Sequence, residues 1–364
     1  MRGISVQRAG LALAALTLGW TAAPAARADE IVRTIRAELP PGAARFSVEN
    51  LLGTMSIREA DVAGVTAVAT VYAESQALAD AVRFEIVPGD AATIRVRYPY
   101  DRVSTFRYRE PGSHDDGLWL NFSSSSTYSY DGHSVKVNPG RGTRLHADLE
   151  VQVPRGEKAG RFVNLVGLVD AEGLSGHLRF EVASADLRLA RLEGALELEG
   201  SSGDVKARHI KGAWKSDFSS GDVRLDGFEG DSLELHASSG DFAIRNVKAH
   251  RVVTETNSGD ARFLDADVEE FSAEATSGDI ELEETSGNLK AVDVSTSSGD
   301  VTLRLPRDAS FDASARQSSG DTNLGFRDGV SIEQYGRQFA YHRGDHGAKI
   351  RVRTSSGDFA LEPI

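Results

Sequence analysis

Residues 219–242 read SSGDVRLDGFEGDSLELHASSGDF, one full period of a repeat that begins again at Ser238. The tetrapeptide Ser-Ser-Gly-Asp, or a close variant, recurs along the second half of the chain. Its glycines are Gly203, Gly221, Gly240, Gly259, Gly278, Gly299, Gly320 and Gly357. Up to Gly320 they follow one another at nearly constant intervals. These intervals are too short for paired-helix repeats and are typical of one solenoid coil made of strands and turns.

Apolar residues alternate with polar ones inside each period. Val223 and Leu225 stand two and four positions after Gly221, and this period of two indicates a strand with one buried face. A second alternating run, Leu233 to Ala237, predicts a second strand in the same coil. Coils stacked at about 4.8 Å would join these positions into a continuous core.

The predicted fold is therefore all-β: a single-stranded parallel β-solenoid with about 18–21 residues per coil, preceded by an all-β N-terminal cap. We assign residues 29–155 to the cap and opening coils and residues 156–364 to the repeats. The rhythm breaks after Asp328, so residues 328–364 are predicted to form a C-terminal cap. A short helix is expected between Glu74 and Val82.

The N-terminal segment 1–28 resembles a secretory signal peptide. Arg2 and Arg8 precede a short apolar run, and Ala26-Arg27-Ala28 provides a small-residue cleavage site. We expect an exported bacterial protein, periplasmic or secreted to the cell surface, with no transmembrane segment after signal removal. Its oligomeric state is left open.

The chain is acidic and contains no cysteine. Its formal charge of −13 becomes −16 without the leader, which argues against nucleic acid as a partner because phosphate binding requires clustered Lys and Arg. A disulfide framework is excluded by composition, so stability must come from burial and backbone pairing.

Each repeat glycine is predicted to occupy a turn, because glycine reaches backbone angles that are costly for other residues. The aspartates that follow should form one column, in which neighbouring charges repel by roughly 0.9 kcal/mol even at the dielectric of water. Hydrogen bonds to backbone amides could offset that repulsion. The alternative is a calcium ladder on Asp204, Asp222, Asp241, Asp260 and Asp279, since carboxylates are preferred calcium ligands. No other cofactor is predicted.

Catalytic patterns are scarce, and we name no catalytic residue. The nine histidines occupy different phases of the repeat, and no serine lies in a Gly-x-Ser-x-Gly elbow. Exported β-helices can cleave polysaccharides, which requires a groove with converging acids and a basic residue. The repeats suggest no Arg or Lys column to complement such a groove.

Residues 98–143 resemble an insertion rich in aromatic and serine residues. Exposed aromatic rings can stack on sugars or anchor a protein interface, and Trp119, Tyr128 and Tyr130 are the predicted contacts. The alternative is that the aromatic residues pack onto the cap.

The tandem Ser-Ser-Gly-Asp copies resemble the "putative adhesin" family of exported bacterial β-solenoids. Two further segments carry the resemblance, Asn50-Leu51-Leu52-Gly53-Thr54-Met55-Ser56-Ile57 and Val153-Pro154-Arg155-Gly156. It extends from Phe46 to the C-terminus, and it implies an adhesin-like role with no catalytic residues to carry over. The aromatic insertion departs from the family pattern.

We therefore predict a non-enzymatic envelope or surface scaffold that binds a cell-surface glycan or an envelope protein. Two alternatives are a polysaccharide lyase or hydrolase, and a structural protein that self-assembles through its coil ends.

Overall fold

The computed structural model describes residues 31–89, 91–108, 125–156, 158–328, 330–335, 338–345 and 347–364. The predicted signal peptide lies outside these residues. The described residues form 25 strands and one short helix, which confirms the all-β class. Successive repeats pair in parallel, whereas both ends of the sheet contain antiparallel strands, so the strand order is mixed rather than purely parallel.

The N-terminal elements are β1 (Ile31–Glu38), β2 (Arg45–Ala60), β3 (Thr66–Ala73), α1 (Gln76–Ala81), β4 (Arg83–Val87), β5 (Ala92–Arg97), β6 (Thr105–Arg107), β7 (Ser126–Tyr130), β8 (His133–Asn138) and β9 (Thr143–Pro154). The central elements are β10 (Lys158–Glu172), β11 (Ser175–Ala190), β12 (Glu193–Ser202), β13 (Val205–Ser220), β14 (Val223–Ser239), β15 (Phe242–Ser258) and β16 (Ala261–Ser277). The C-terminal elements are β17 (Ile280–Glu284), β18 (Ala291–Ser298), β19 (Val301–Leu305), β20 (Phe311–Ser319), β21 (Thr322–Leu324), β22 (Val330–Tyr335), β23 (Gln338–Arg343), β24 (Ala348–Ser356) and β25 (Phe359–Pro363).

The short helix forms where the sequence predicts it. Ser75 caps α1, and its side chain accepts a hydrogen bond from the backbone amide of Leu78.

Central coils stack in the register that the repeat predicts. Val205 pairs with Val223, Val223 with Phe242 and Phe242 with Ala261, so each step equals the interval between the corresponding repeat glycines. The side chains two positions after the repeat glycines from Gly203 to Gly299, after Gly357, and after Ala185 of the first coil therefore form one buried column. Its members are Leu187, Val205, Val223, Phe242, Ala261, Ile280, Val301 and Phe359.

Each of the first regular coils bends at the turn with the repeat glycine and again at a corner six positions later. In the coil of Ala185, that residue takes the place of the repeat glycine. The corner residue has a positive φ, a conformation that favours Gly, Asn, Asp and His over bulkier residues. The corner divides the coil into two pairing segments, as the two alternating runs predict. The corner residues are Gly173, Arg191, His209, Gly227, Asn246 and Asp265.

The N-terminal strand β2 lies inside the stack. One edge of β2 pairs in parallel with β5 and β9, through Phe46 to Ala92 and Met55 to Leu149. Its other edge pairs with β10, through Gly53 to Gly167. The coil that contains β5 and β9 follows β2 in the chain. In the sheet, however, it lies on the edge of β2 that faces away from β10.

A buried amide ladder joins these first coils. The Asn50 side-chain amide donates to the Ala147 carbonyl at 2.9 Å and to Asn164 Oδ1 at 3.0 Å. The Tyr98 hydroxyl donates to Asn50 Oδ1 at 2.8 Å. Asn50 and Asn164 are both fully buried, so these bonds satisfy groups that would otherwise be costly to desolvate.

The C-terminal strands are also inserted between earlier coils. β24 pairs with β18 on one edge and with β20 on the other, and β25 lies in the same way between β19 and β21. The prediction that residues 328–364 form a terminal cap is therefore wrong for β24 and β25. Pro363, near the end of the chain, lies opposite Leu305 within the sheet. The repeat pattern does not encode this order, because the Gly299 coil can pair equally well with any copy of the motif.

Antiparallel strands cover part of the outermost coil at each end. β3 pairs with β9 and β1 with β3, while β23 pairs with β20 and β22 with β23. The break in rhythm after Asp328 corresponds to the β22–β23 hairpin. Covered edges reduce the tendency of a sheet to pair with another molecule.

His146 on β9 is expected to make stability depend on pH. Its ring stacks on Tyr72 with centroids 4.8 Å apart, and burial together with the charge of Arg144 lowers its pKa from 6.5 to about 4. Between these pH values the unfolded chain binds more protons at His146 than the folded chain does. The contribution of His146 to the free energy of unfolding is therefore present above pH 6.5 and is lost as the pH falls towards 4. The full loss is roughly 3 kcal/mol.

The measurement is the midpoint of unfolding against pH for the wild type and His146→Phe. We expect the variant to show a shallower fall between pH 6.5 and 4, the interval bounded by the two pKa values. Equal slopes for the two proteins would contradict the assignment.

Candidate functional site

One of the aromatic residues predicted to contact a ligand, Tyr130, is packed within the fold. Tyr130 is 5% exposed, and its hydroxyl donates to the carbonyls of Glu49 at 3.0 Å and Val96 at 2.9 Å. Burial raises the pKa of this hydroxyl well above its ordinary value. The prediction of a ligand contact through Tyr130 is therefore wrong, because its ring fills the N-terminal core.

The other two predicted contacts have different outcomes. Tyr128 is half-buried against the same core, and its hydroxyl donates to Ser184 Oγ at 2.9 Å, so its contact with a ligand stays a prediction. Trp119 lies outside the described residues.

The predicted aspartate column exists from Asp204 to Asp300. Each carboxylate accepts a hydrogen bond from the backbone amide of the aspartate in the next coil, which offsets the repulsion as expected. Asp358 lies between Asp300 and Asp321, contrary to the predicted order, because β25 is inserted there. The amides of Asp204, Asp222, Asp241, Asp260, Asp279, Asp300, Asp358 and Asp321 donate in turn to Oδ1 of the preceding member at 2.8–3.1 Å, beginning from Asp186.

This ladder accounts for the aspartates as structural groups. Burial raises the pKa of Asp186, its first member, because desolvation disfavours the charged form. Among the described residues, no group of three or more His, Asp or Glu side chains is arranged to hold a metal ion. Calcium binding by the column stays a prediction.

A second column, which the sequence analysis missed, consists of cations. Arg188 pairs in register with Lys206, and Lys206 pairs with Arg224, so these exposed side chains occupy one face of three successive coils. The neighbouring column on the same face contains Arg208 and Arg245, in coils separated by that of Asp226. The expectation that the repeats lack an Arg or Lys column is therefore wrong.

The cationic face is concave. A groove of about 640 Å³ runs across the coils, within the size range of ligand sites. Ala190 and Ala243 leave space beside longer side chains, since Ala190 is in register with Arg208 and Ala243 with Arg224. We call this surface the basic groove. Its charged lining residues are Arg58, Arg188, Lys206, Arg208, Arg224, Arg245, Asp170, Glu172 and Asp226.

Most of the cations in the basic groove lack an acidic partner. Within the described part of the chain, no carboxylate lies within 4.0 Å of Arg188, Lys206, Arg208 or Arg245. Arg224 contacts Asp222 at 2.9 Å and Asp204 at 4.0 Å. The charges of Arg188 and Lys206 act on the nearby Asp186 carboxylate without a close ion pair. Six cations against three acids leave the groove positive on a chain whose formal charge is −13.

The acids of the groove already have partners. Arg58 contacts Asp170 at 3.0 Å and Glu172 at 3.5 Å, and the Asn246 amide donates to Asp226 at 2.6 Å. The unengaged charge in the groove is therefore positive, which suits it to an anionic ligand.

A signal for this site was present in the sequence. Arg188, Lys206 and Arg224 recur at the interval that separates Gly203 from Gly221, and the last two cations each stand three positions after a repeat glycine. The pattern is short, because Ala243 interrupts it in the next coil, and total charge counts conceal it. The concavity depends on which side chains lie beside one another across the coils, so it appears only in the structure.

Solved structures that match the chain come from several bacteria. One described as a "putative lipid binding protein" from Parabacteroides distasonis covers 93% of this chain and 97% of its own, at 11% identity and a TM-score of 0.40. A "putative adhesin" from Bacteroides fragilis covers 90% and 97%, at 12% identity and a TM-score of 0.36. A "putative cell adhesion protein" from Clostridium sporogenes covers 92% and 100%, at 10% identity and a TM-score of 0.22.

No curated protein matches the chain. The described residues include no helix that is long and apolar enough to cross a membrane.

The sequence match to a family is extensive. The model of the family described as Toastrack DUF4097, a domain of unknown function, matches residues 79–362. This span includes every Ser-Ser-Gly-Asp copy and the basic groove except Arg58. It confirms the family resemblance indicated by the repeats. The chain therefore belongs to the Toastrack DUF4097 family.

Proposed function

We propose that this protein is a non-enzymatic, adhesin-like scaffold of the bacterial envelope or surface, which holds an anionic glycan or protein in the basic groove. In this proposal the stacked coils form a rigid β-solenoid, so the binding face is preorganised. The observation that carries the proposal is a set of exposed cations without an ion pair, which lie in three of four successive coils: Arg188, Lys206, Arg208 and Arg245.

Electrostatics support an anionic partner. Cations one coil apart repel each other by roughly 0.9 kcal/mol even at the dielectric of water. An anionic group held between Arg188 and Lys206 would relieve that repulsion, and Arg can bind carboxylate or phosphate through two parallel hydrogen bonds. The overall negative charge of the protein would repel anions elsewhere, which favours binding at this surface.

Polysaccharide cleavage is the second candidate, because the basic groove places acids and bases on one sheet. The acids have partners, however: Arg58 neutralises Asp170 and Glu172, and Asp226 accepts from Asn246. A general base must be within reach of the proton that it removes and free to accept it. These contacts favour binding without cleavage.

Self-assembly through coil ends receives less support. Antiparallel strands cover part of the outermost coil at each end, through β3 on β9 and β23 on β20. Covering strands reduce direct coil-on-coil stacking.

The test is retention of the predicted mature chain, residues 29–364, on immobilised dextran sulfate, polygalacturonate and poly-glutamate, with neutral dextran as a blank. We expect retention on at least one polyanion and about 10- to 100-fold weaker binding by Arg188→Gln/Lys206→Gln. Lys248→Gln/Arg251→Gln is the matched control, because it removes two exposed cations outside the groove.

Released sugar ends are measured in the same samples. Retention without product supports the scaffold, whereas product formation that depends on the groove would favour cleavage. Absence of retention on every polyanion would refute the proposed function.

A further inference from the structure

The basic groove presents cations at a regular spacing along the stack. The first coil contributes Arg188, the second Lys206 and Arg208, the third Arg224, and the fourth Arg245. Four successive coils therefore each present at least one cation. Neighbouring coils are about 4.8 Å apart, so the cations cover about 14 Å along the stack axis.

Acidic residues bound this series at one end. Asp170 is in register with Arg188 and precedes it in the column, and Glu172 precedes Ala190 in the neighbouring column. At the other end Ala243 replaces a cation beside Arg224. Asp170 and Glu172 are paired with Arg58. One coil beyond Ala243, Arg262 occupies the same column and contacts Asp260 at 2.6 Å. Cations without an ion pair therefore occur over about four coils, which defines a site of limited length.

We infer that the basic groove binds an acidic polysaccharide, which runs along the stack axis and places about one anionic group on each of four coils. This inference rests on the proposed function and specifies the class of its ligand. A hexuronic acid unit in an extended chain spans a distance close to one coil spacing, so successive carboxylates can meet successive coils. The exposed methyl group of Ala243 offers a small apolar contact for a sugar ring.

An acidic peptide fits this spacing less well. Side chains on one face of an extended peptide recur every two residues, or about 6.7 Å, which does not match a coil spacing of about 4.8 Å. A protein partner of ordinary size would also bury roughly 800 Å² of this surface around apolar anchors. The groove contains small alanines and long cationic side chains in place of such anchors.

Single-stranded nucleic acid fits less well for another reason. Its binding sites combine positive charge with aromatic side chains on which bases stack. None of the described residues that line the groove is aromatic. The negative charge of the whole chain opposes a long polyanion that extends beyond the groove.

The experiment is titration calorimetry at low salt, with galacturonic acid oligomers of one to eight units as the probes. We expect affinity to increase steeply up to about four units and then to level off, because the cationic series covers about four coils. For the four-unit oligomer, Arg188→Gln/Lys206→Gln should bind about 10- to 100-fold more weakly, and the slope of log K against log salt should fall by about one per removed cation. Lys248→Gln/Arg251→Gln should match the wild type.

Comparator ligands decide between the inference and its competitors. Sulfated oligosaccharides of the same lengths distinguish carboxylate from sulfate as the preferred anion, and either preference supports an acidic glycan. Glutamate oligomers or oligo-deoxythymidine of equal charge that bind as tightly as the best sugar would overturn the glycan inference and leave the anionic scaffold intact. Affinity that keeps increasing beyond four units, or that the groove variant does not weaken, would overturn the assigned site.

Discussion

A chain that ends at Gly347 is expected to lose the folded C-terminal part of the stack. The missing residues comprise β24 and β25, which pair with other strands on both edges. They also bring five apolar side chains into the core: Ala348, Ile350, Val352, Phe359 and Leu361. Burial of the four larger ones contributes up to about 6–12 kcal/mol, which is comparable to the entire stability of an ordinary domain.

The truncation is destabilising because the coil of β24 and β25 lies between two other coils, and both of them lose a neighbour. Asp358 accepts the amide of Asp321 and donates its own amide to Asp300, so its removal interrupts the carboxylate ladder as well as the core. β18 and β20 would then have to pair directly or expose their edges. Exposed edges of this length favour aggregation.

The measurement is the far-ultraviolet circular dichroism signal, the midpoint of thermal unfolding, and the pattern of limited proteolysis. A chain that begins at Leu39 provides the matched control, because it lacks β1, which pairs with β3 on one edge. We expect the midpoint to fall much further in the C-terminal truncation than in this control. A peptide of residues 348–364 added in trans should restore protection by inserting between the two coils. An equal or smaller fall than in the control would refute the inserted order.

Replacement of Gly240 by alanine is expected to be strongly destabilising. Gly240 has a φ of +134°, and a Cβ atom placed there would lie 2.1 Å from the carbonyl oxygen of Gly221. The obstacle is backbone of the adjacent coil and cannot rotate away. We expect a loss of more than about 4 kcal/mol, because the side chain imposes both backbone strain and a shift of paired strands.

Gly287→Ala is the matched control for backbone strain alone. Gly287 has a φ of +77°, and a Cβ atom there would meet nothing within 4 Å. Its expected cost is about 1 kcal/mol, the ordinary penalty for a residue with a Cβ in this conformation. Urea unfolding midpoints of the two variants should therefore differ clearly. Similar midpoints would show that close stacking at the repeat glycine contributes little.

Of the two features on which these predictions depend, the sequence predicts one and not the other. The close approach at Gly240 follows from the repeat, because an identical turn in each coil places each glycine against the next. The inserted position of Asp358 does not follow, since its Ser-Ser-Gly-Asp copy resembles those of Asp300 and Asp321. Which copy lies beside which is decided by contacts between residues far apart in the chain.

The candidate site likewise has one feature that the sequence predicts and one that it does not. The regular spacing of Arg188, Lys206 and Arg224 is readable as a column once the repeat is known. The groove itself is not readable, because it requires Ala190 and Ala243 to lie beside longer neighbours. Tyr130 was predicted to be exposed because aromatic residues in an irregular segment are ambiguous, and its burial depends on the carbonyls of Glu49 and Val96.

The sequence by itself determined the all-β class, the coil length, the buried columns and the aspartate ladder from Asp204 to Asp300. These features are repeated in every coil, so one period of local pattern specifies them throughout the stack. Only the tertiary structure decided the insertion of β2, β24 and β25, the packing of Tyr130 and the shape of the basic groove. Each of those features occurs once and arises from contacts between segments distant in the chain, so no local periodicity indicates them.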